Sequence, residues 1–272
     1  MENKILIYDD NCPFCSWYSG QFVKFGLLPG AGRKAFSSLE EIYLTKIDFD
    51  KSRNEIPLLD TNDGKVLYGI DALLEILGKK IPWIKSAGNL PPVKWFLKKL
   101  YKLVSYNRKV IVARKCGPGS IDCSPDNNYW YRFYFMALSF LFNTLMLFPL
   151  HATFLSTLSY YRVSSTQLQG AHLVFVAANC LLAFSFSKQK AFEYLGQVNI
   201  LALTVILLLI PLMCVHSILP EWCISLYLAA TAAIVFKEYI RRMEYAGVLP
   251  KNKWVVSMNL LCMTGFILFL FH

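Results

Sequence analysis

Acidic side chains nearly vanish from the second half of this chain. Residues 129–272 hold four Asp or Glu and nine Lys or Arg, against 14 and 19 in the first 128. So little charge excludes an ordinary soluble surface over that half, and long apolar runs take its place. Five such runs stand at about 131–150, 171–187, 197–219, 222–240 and 254–272. None of them has an Arg, Lys, Asp or Glu near its centre, which disfavours an ion- or proton-coupled transporter. No secretory leader is expected, because Met1-Glu2-Asn3-Lys4 leads into a five-residue run much shorter than a signal-peptide core. Histidine is scarce: His151, His172, His216 and His272 all fall at the ends of apolar runs. They either stand at an interface without a partner or hold a haem, a metal or a quinone.

Against these absences stands a motif. The apolar run Lys4-Ile5-Leu6-Ile7-Tyr8 reads as a buried strand, and Asn11-Cys12-Pro13-Phe14-Cys15 follows it directly. A strand that ends in C-x-x-C, with a helix starting there, is a construction for thiol–disulfide chemistry. The first thiol then lies at a helix N-terminus, where unpaired N–H groups and the macrodipole favour thiolate. Pro13 fits the first turn because its missing N–H would have no helical partner. Cys12 is the expected nucleophile and Cys15 the resolving thiol. Asp9 and Asp10 are candidates for a proton acceptor in the resolving step, or for turn and capping roles. Zinc is the rival reading, but one CxxC supplies half a tetrahedral site. The spacing of a second pair, Cys116 and Cys123, is too long for a standard knuckle, so no metal site is assigned. Gly117-Pro118-Gly119 forms a tight loop that either brings these two sulfurs together or merely separates two unrelated thiols.

Further along, Phe14, Trp17, Tyr18, Phe22 and Phe25 recur at helical spacing, and Gly26 stops them. A short strand near 33–36, a helix near 39–45 and a strand over 57–60 come next. Asn62-Asp63-Gly64 marks a turn to the partner strand 65–68, and a helix over 71–77 is closed by Gly78. This order resembles the thioredoxin/glutaredoxin fold. That resemblance implies a cis-proline at Pro57, packed against the CxxC, the alternative being a trans proline opening an edge strand. Residues 4–108 resemble, more narrowly, the DCC family of thiol-disulfide oxidoreductases. The likeness rests on Tyr8-Asp9-Asp10-Asn11-Cys12-Pro13-Phe14-Cys15, Tyr68-Gly69-Ile70-Asp71-Ala72 and Tyr106-Asn107-Arg108. The family usually has Asp-Gly where this chain has Asp9-Asp10. The resemblance implies a redox fold with its centre at Cys12 and Cys15, and no particular substrate.

The fold class expected is therefore an α/β thioredoxin-like domain over 1–90, a basic amphipathic linker over 91–128, and an all-α transmembrane domain of about five helices over 129–272. From Pro91 to Lys115 there are eight Lys or Arg and no acidic residue. There Trp95, Phe96, Leu100, Tyr101, Leu103 and Val104 share a helical face, while Lys94, Lys98, Lys99 and Lys102 snorkel. Such a helix reads as lying on an anionic lipid surface through about 93–115. Its aromatics are helix-periodic without a stacking platform, so nucleic acid is not an expected partner. Loop charges alternate along the five runs. The positive-inside rule places the N-terminal domain in the cytoplasm and the C-terminus outside, in the inner membrane if the cell is bacterial.

Four cysteines remain in the apolar half. Cys214 and Cys223 flank an outer loop, and Cys180 and Cys262 sit near mid-membrane; each is either a redox thiol or a small packing residue. The function expected is membrane-anchored dithiol/disulfide exchange with a protein partner. The alternatives are a carrier of reducing equivalents to an extracytoplasmic acceptor, with a quinone as the conceivable cofactor, and a non-catalytic docking subunit of a membrane complex.

Overall fold

The computed structural model describes residues 3–114, 124–159 and 161–271, and the chain divides into two compact units, residues 1–132 and 133–272. The first is built on four strands: β1 (Lys4–Tyr8), β2 (Arg33–Ala35), β3 (Pro57–Asp60) and β4 (Val66–Tyr68). They lie side by side in the order β2-β1-β3-β4. β1 pairs parallel with β2 and antiparallel with β3, and β3 pairs antiparallel with β4. Because successive side chains of a strand point to opposite faces, one short strand feeds two cores. Ile5, Ile7 and Leu59 join Phe36, Leu39 and Ile47 on one face. On the other, Leu6 and Leu58 join Leu27, Leu28, Ile56, Ala72 and Ile76. Burial on both faces explains why β1 reads as an unbroken apolar run.

The helices of this unit are α1 (Pro13–Lys24), α2 (Glu41–Leu44), α3 (Phe49–Asn54), α4 (Ile70–Gly78), α5 (Pro82–Gly88) and α6 (Pro91–Val112). The β3–β4 hairpin turns at Gly64, whose φ of 70° suits glycine. Glu75 of α4 binds Lys4 of β1 and Lys85 of α5, each at 2.6 Å, tying helix, sheet and following helix together. The proline expectation is corrected. No peptide bond among the described residues is cis, so Ile56–Pro57 is trans. Nor is β3 an edge strand. Pro57 stands opposite Tyr68 as the first residue of an inner strand, a position that tolerates a missing donor. The neighbouring Ile56 makes the backbone bonds instead: its carbonyl accepts the Gly69 N–H at 2.9 Å and its own N–H donates to Tyr101 Oη at 2.9 Å.

α6 is docked on the sheet domain. Besides Tyr101, its Ser105 hydroxyl donates to the Asn54 carbonyl, and Ser105, Asn107, Arg108 and Val110 are buried. Three of the four lysines expected to snorkel hold ion pairs: Lys94 and Lys98 with Asp71 at 2.7 and 3.5 Å, Lys102 with Glu55 at 3.5 Å. Trp95, Phe96 and Leu100 remain exposed, and Lys99 lies 5.9 Å from the Trp95 ring centroid.

The second unit is helical: α7 (Tyr129–Thr153, entering from the first unit), α8 (Ser165–Ala183), α9 (Lys188–Val215), α10 (Glu221–Tyr245), α11 (Val248–Lys251) and α12 (Lys253–Phe271). Five long helices thus coincide with the five apolar runs, but the expected count of about five crossings is not confirmed. Among the described residues three helical stretches are long and apolar enough to cross a membrane: Tyr129–Thr157, Lys188–Ile218 and Glu221–Tyr245. α8 carries Gln167, Gln169, His172 and Asn179, which lower its hydropathy, and the apolar part of α12 runs over the shorter Lys253–Phe269. Buried polar groups stitch these helices. Tyr194 Oη donates to Asn179 Oδ1 at 2.7 Å, and Asn259 Nδ2 donates to Tyr194 Oη at 3.3 Å, joining α8, α9 and α12.

Candidate redox site

The turn after β1 sets the two cysteines. Asp9 folds back on it: its carboxylate accepts the Asn11 N–H at 3.0 Å and its carbonyl accepts the Cys12 N–H at 3.2 Å. Cys12 then becomes the N-cap of α1, with extended φ and ψ of −102° and 105° and Pro13 at the helix start. Its Sγ accepts the Cys15 N–H at 3.4 Å, so the thiol occupies the place where Ser or Asp usually caps a helix. Both cysteines are free and buried, each 3% exposed.

The environment separates the two thiols. A hydrogen bond from the Cys15 thiol pulls Cys12 down to about 6; burial opposes this, while the Cys15 N–H and the Arg108 cation assist. The same hydrogen bond, with burial, pushes Cys15 well up, and Arg108 works against that rise. The two thiols are thus shifted in opposite directions, Cys12 down and Cys15 up, chiefly by the hydrogen bond between them. Burial also lifts the phenols of Tyr18 and Tyr101, which stand in the same electrostatic neighbourhood.

Arg108 was not foreseen as part of this site. It arrives from α6, far along the sequence, with Nη1 4.0 Å from Cys15 Sγ and Nη2 3.0 Å from the Arg53 carbonyl oxygen. Nη2 also lies 3.3 Å from Asp9 Oδ2, an ion pair whose side chains are 8% and 2% exposed. One signal pointed to it: Arg108 ends the Tyr106-Asn107-Arg108 element of the family likeness. Asp9 and Asp10 diverge. Asp9 is buried beside the thiols, whereas Asp10 accepts from the Ser37 N–H and hydroxyl at 3.3 and 2.8 Å on the exposed side. Neither caps α1.

The remaining candidates are scattered. Cys116 and Cys123 lie outside the described residues. Cys214, in the last turn of α9, is exposed, and Cys223, in the first turn of α10, is half-buried; no disulfide joins them. Cys180 is exposed and Cys262 half-buried, both free. His151 Nε2 lies 2.9 Å from the Val163 carbonyl oxygen, His216 Nδ1 2.9 Å from that of Met213, and His172 stacks on Phe140. Among the described residues no three His, Cys, Asp or Glu side chains are grouped to hold a metal. A cavity of about 370 Å³ opens where β4, α4 and α6 meet, lined by Lys51, Tyr68, Tyr101 and the paired Glu55–Lys102 and Asp71–Lys98.

Around the CxxC the surface is aromatic. Phe14 and Trp17 stack at 6.4 Å, and Trp17 is 62% exposed. Of the aromatics along α1, Tyr18 and Phe22 pack against the core, while Trp17 and Phe25 face outward.

Comparison with known proteins agrees with this geometry. Residues 6–114 match the family described as DCC1-like thiol-disulfide oxidoreductase, a stretch that runs from β1 through the whole of α6. No curated protein and no solved structure matches the chain.

Proposed function

From the premise that residues 6–114 form a DCC1-like thiol-disulfide oxidoreductase domain, we propose that this protein is a membrane-anchored enzyme exchanging dithiol for disulfide with protein partners. The observation that carries the reading is the capping geometry: a helix-capping Cys12, held near 6 by its own Cys15, is ionised at neutral pH and ready to attack. Cys12 Sγ attacks one sulfur of the partner disulfide, and the other sulfur leaves as thiolate. Cys15 Sγ then attacks Cys12 Sγ, forming the Cys12–Cys15 disulfide and releasing the second partner thiolate. Two electrons pass to the partner; the reverse sequence oxidises it.

The exposed Phe14 and Trp17 beside the motif support an apolar partner segment docking there. Three helices of sufficient length and hydropathy support anchoring in a bilayer. Basic loops on alternate sides support a cytoplasmic redox domain. The outward Trp95, Phe96 and Leu100 with Lys99 support contact of α6 with anionic lipid. In cells, a Cys15→Ser variant of the full chain should accumulate mixed disulfides through Cys12 that vanish on reduction and are lost in Cys12→Ser. If a Cys12→Ser, Cys15→Ser double variant keeps the cellular phenotype of the wild type, the domain is a docking module and the enzymatic reading falls.

A further inference from the structure

The exchange chemistry needs two ionisations, and the site is visibly built for the first. As the helix cap, Cys12 has two donors, the Cys15 N–H and the Cys15 thiol. Cys15 is buried one turn inside α1 and must also become a thiolate before it can break the mixed disulfide. We propose that Arg108 is the charge partner of Cys15 that drives this resolving step, its guanidinium facing the sulfur on which negative charge develops. The inference rests on the thiol-exchange reading and adds to it a third reacting-site residue.

The geometry is specific. Arg108 approaches from α6, donating from Nη2 to the Arg53 carbonyl at 3.0 Å and forming an ion pair with the Asp9 carboxylate at 3.3 Å. Its Nη1 lies 4.0 Å from Cys15 Sγ. Among the described residues, the charged and titratable groups around this sulfur include Cys12 and Tyr18 from α1, Asp9 from the turn after β1, and Tyr101 and Arg108 from α6. Of these only Arg108 is a cation. A cation fixed near a buried thiol favours its ionised form, while burial alone would suppress it.

The order of events strengthens the assignment. In the resting dithiol, Cys15 is held protonated chiefly by its hydrogen bond to Cys12. Once Cys12 is bonded to the partner sulfur it no longer carries the charge that held that proton. What then opposes ionisation of Cys15 is its burial and the Asp9 carboxylate, and what favours it is Arg108. The Cys15 proton ends on the departing partner thiolate, the Cys12–Cys15 bond forms as the Cys12–partner bond breaks, and charge is conserved. Asp9 has a second part in this arrangement, since it neutralises the guanidinium in a buried place and fixes its direction.

The test follows the two releases of thionitrobenzoate when the reduced full chain, in detergent and with its other six cysteines changed to serine, meets 5,5′-dithiobis(2-nitrobenzoate). The first release reports attack by Cys12, the second resolution by Cys15. In Arg108→Met the second release should slow about 10- to 100-fold relative to the first, with its pH midpoint moved upward. Arg108→Lys should recover much of the rate. Because Arg108→Met leaves Asp9 buried without its cation and risks misfolding, the Asp9→Asn, Arg108→Met double variant serves as the neutral replacement and should be as slow. A second release at wild-type rate in either Met variant overturns the proposal. So does an Arg108→Lys variant as slow as Arg108→Met, since packing rather than charge would then be responsible. A wild-type protein that gives no second release overturns the exchange reading itself, and this proposal with it.

Discussion

At Cys12 the sulfur proposed as the nucleophile also accepts the Cys15 N–H at 3.4 Å, so ionisation strengthens the helix cap instead of breaking it. Alkylation of Cys12 by iodoacetamide in the reduced protein should therefore rise with pH through a midpoint near 6 and level off, while Cys15 stays unreactive over that range. Peptide mapping of the labelled site reads this directly, and Cys15 titrating first would overturn the assignment. The same shift has a stability sign. A folded-state value near 6, against about 8.5 for an unfolded thiol, stabilises the reduced fold. That contribution is full above about 8.5 and is lost as pH falls through about 6. The pair Cys12 and Cys15 was legible because local spacing carries it. Arg108 was not, because its proximity to Cys15 is created by α6 returning to the sheet, 93 residues away in sequence. The cis expectation at Pro57 came from the fold resemblance alone, with no local residue pattern behind it, and the bond is trans.

Among the elements, α6 carries two faces of different character. Trp95, Phe96 and Leu100 are exposed, as a lipid-facing stripe would be, while the docking face runs through Tyr101, Ser105 and Arg108 at intervals of four and three. Polar side chains bury there because each meets a backbone carbonyl, an N–H or a carboxylate, which a hydropathy pattern cannot register. Tyr101→Phe removes the acceptor for the Ile56 N–H and should cost the N-terminal unit about 1–3 kcal/mol. Protection of Cys15 from alkylation across a urea series of the full chain would report it as an earlier midpoint. An unchanged midpoint would mean that water replaces the hydroxyl. The strands, the hairpin at Gly64 and the helix closed by Gly78 were readable, since short apolar runs, turn residues and stop signals are local. The short helices α3 and α5 went unassigned because they hold too few residues to show a period.

For the molecule as a whole, composition separates a charged half from an apolar one, and the structure likewise divides into two units, at residue 132. What composition does not decide is which apolar helices cross. α8 has the position of a second crossing but carries Gln, His and Asn side chains, and Asn179 is buried against Tyr194. Lys188 and Lys190, just after it, favour a cytoplasmic loop by the positive-inside rule and hence a crossing α8. A single cysteine at Ser185 should then be shielded from a membrane-impermeant maleimide added to intact cells and react after permeabilisation. Labelling from outside would leave α8 on the outer side and reduce the crossings towards the three that length and hydropathy support.

The 3% exposure of Cys12 and Cys15 bears finally on timing. A sulfur that is ionised yet covered meets a bulky partner only while the neighbouring chain has opened, so the observed rate multiplies intrinsic nucleophilicity by the fraction of time open. Low thiol pKa and low accessibility then act in opposite directions, and selectivity comes from their product. A protein partner able to hold the opening, through Phe14 and Trp17 at its edge, gains over a stray disulfide that cannot, without any change at the sulfurs themselves.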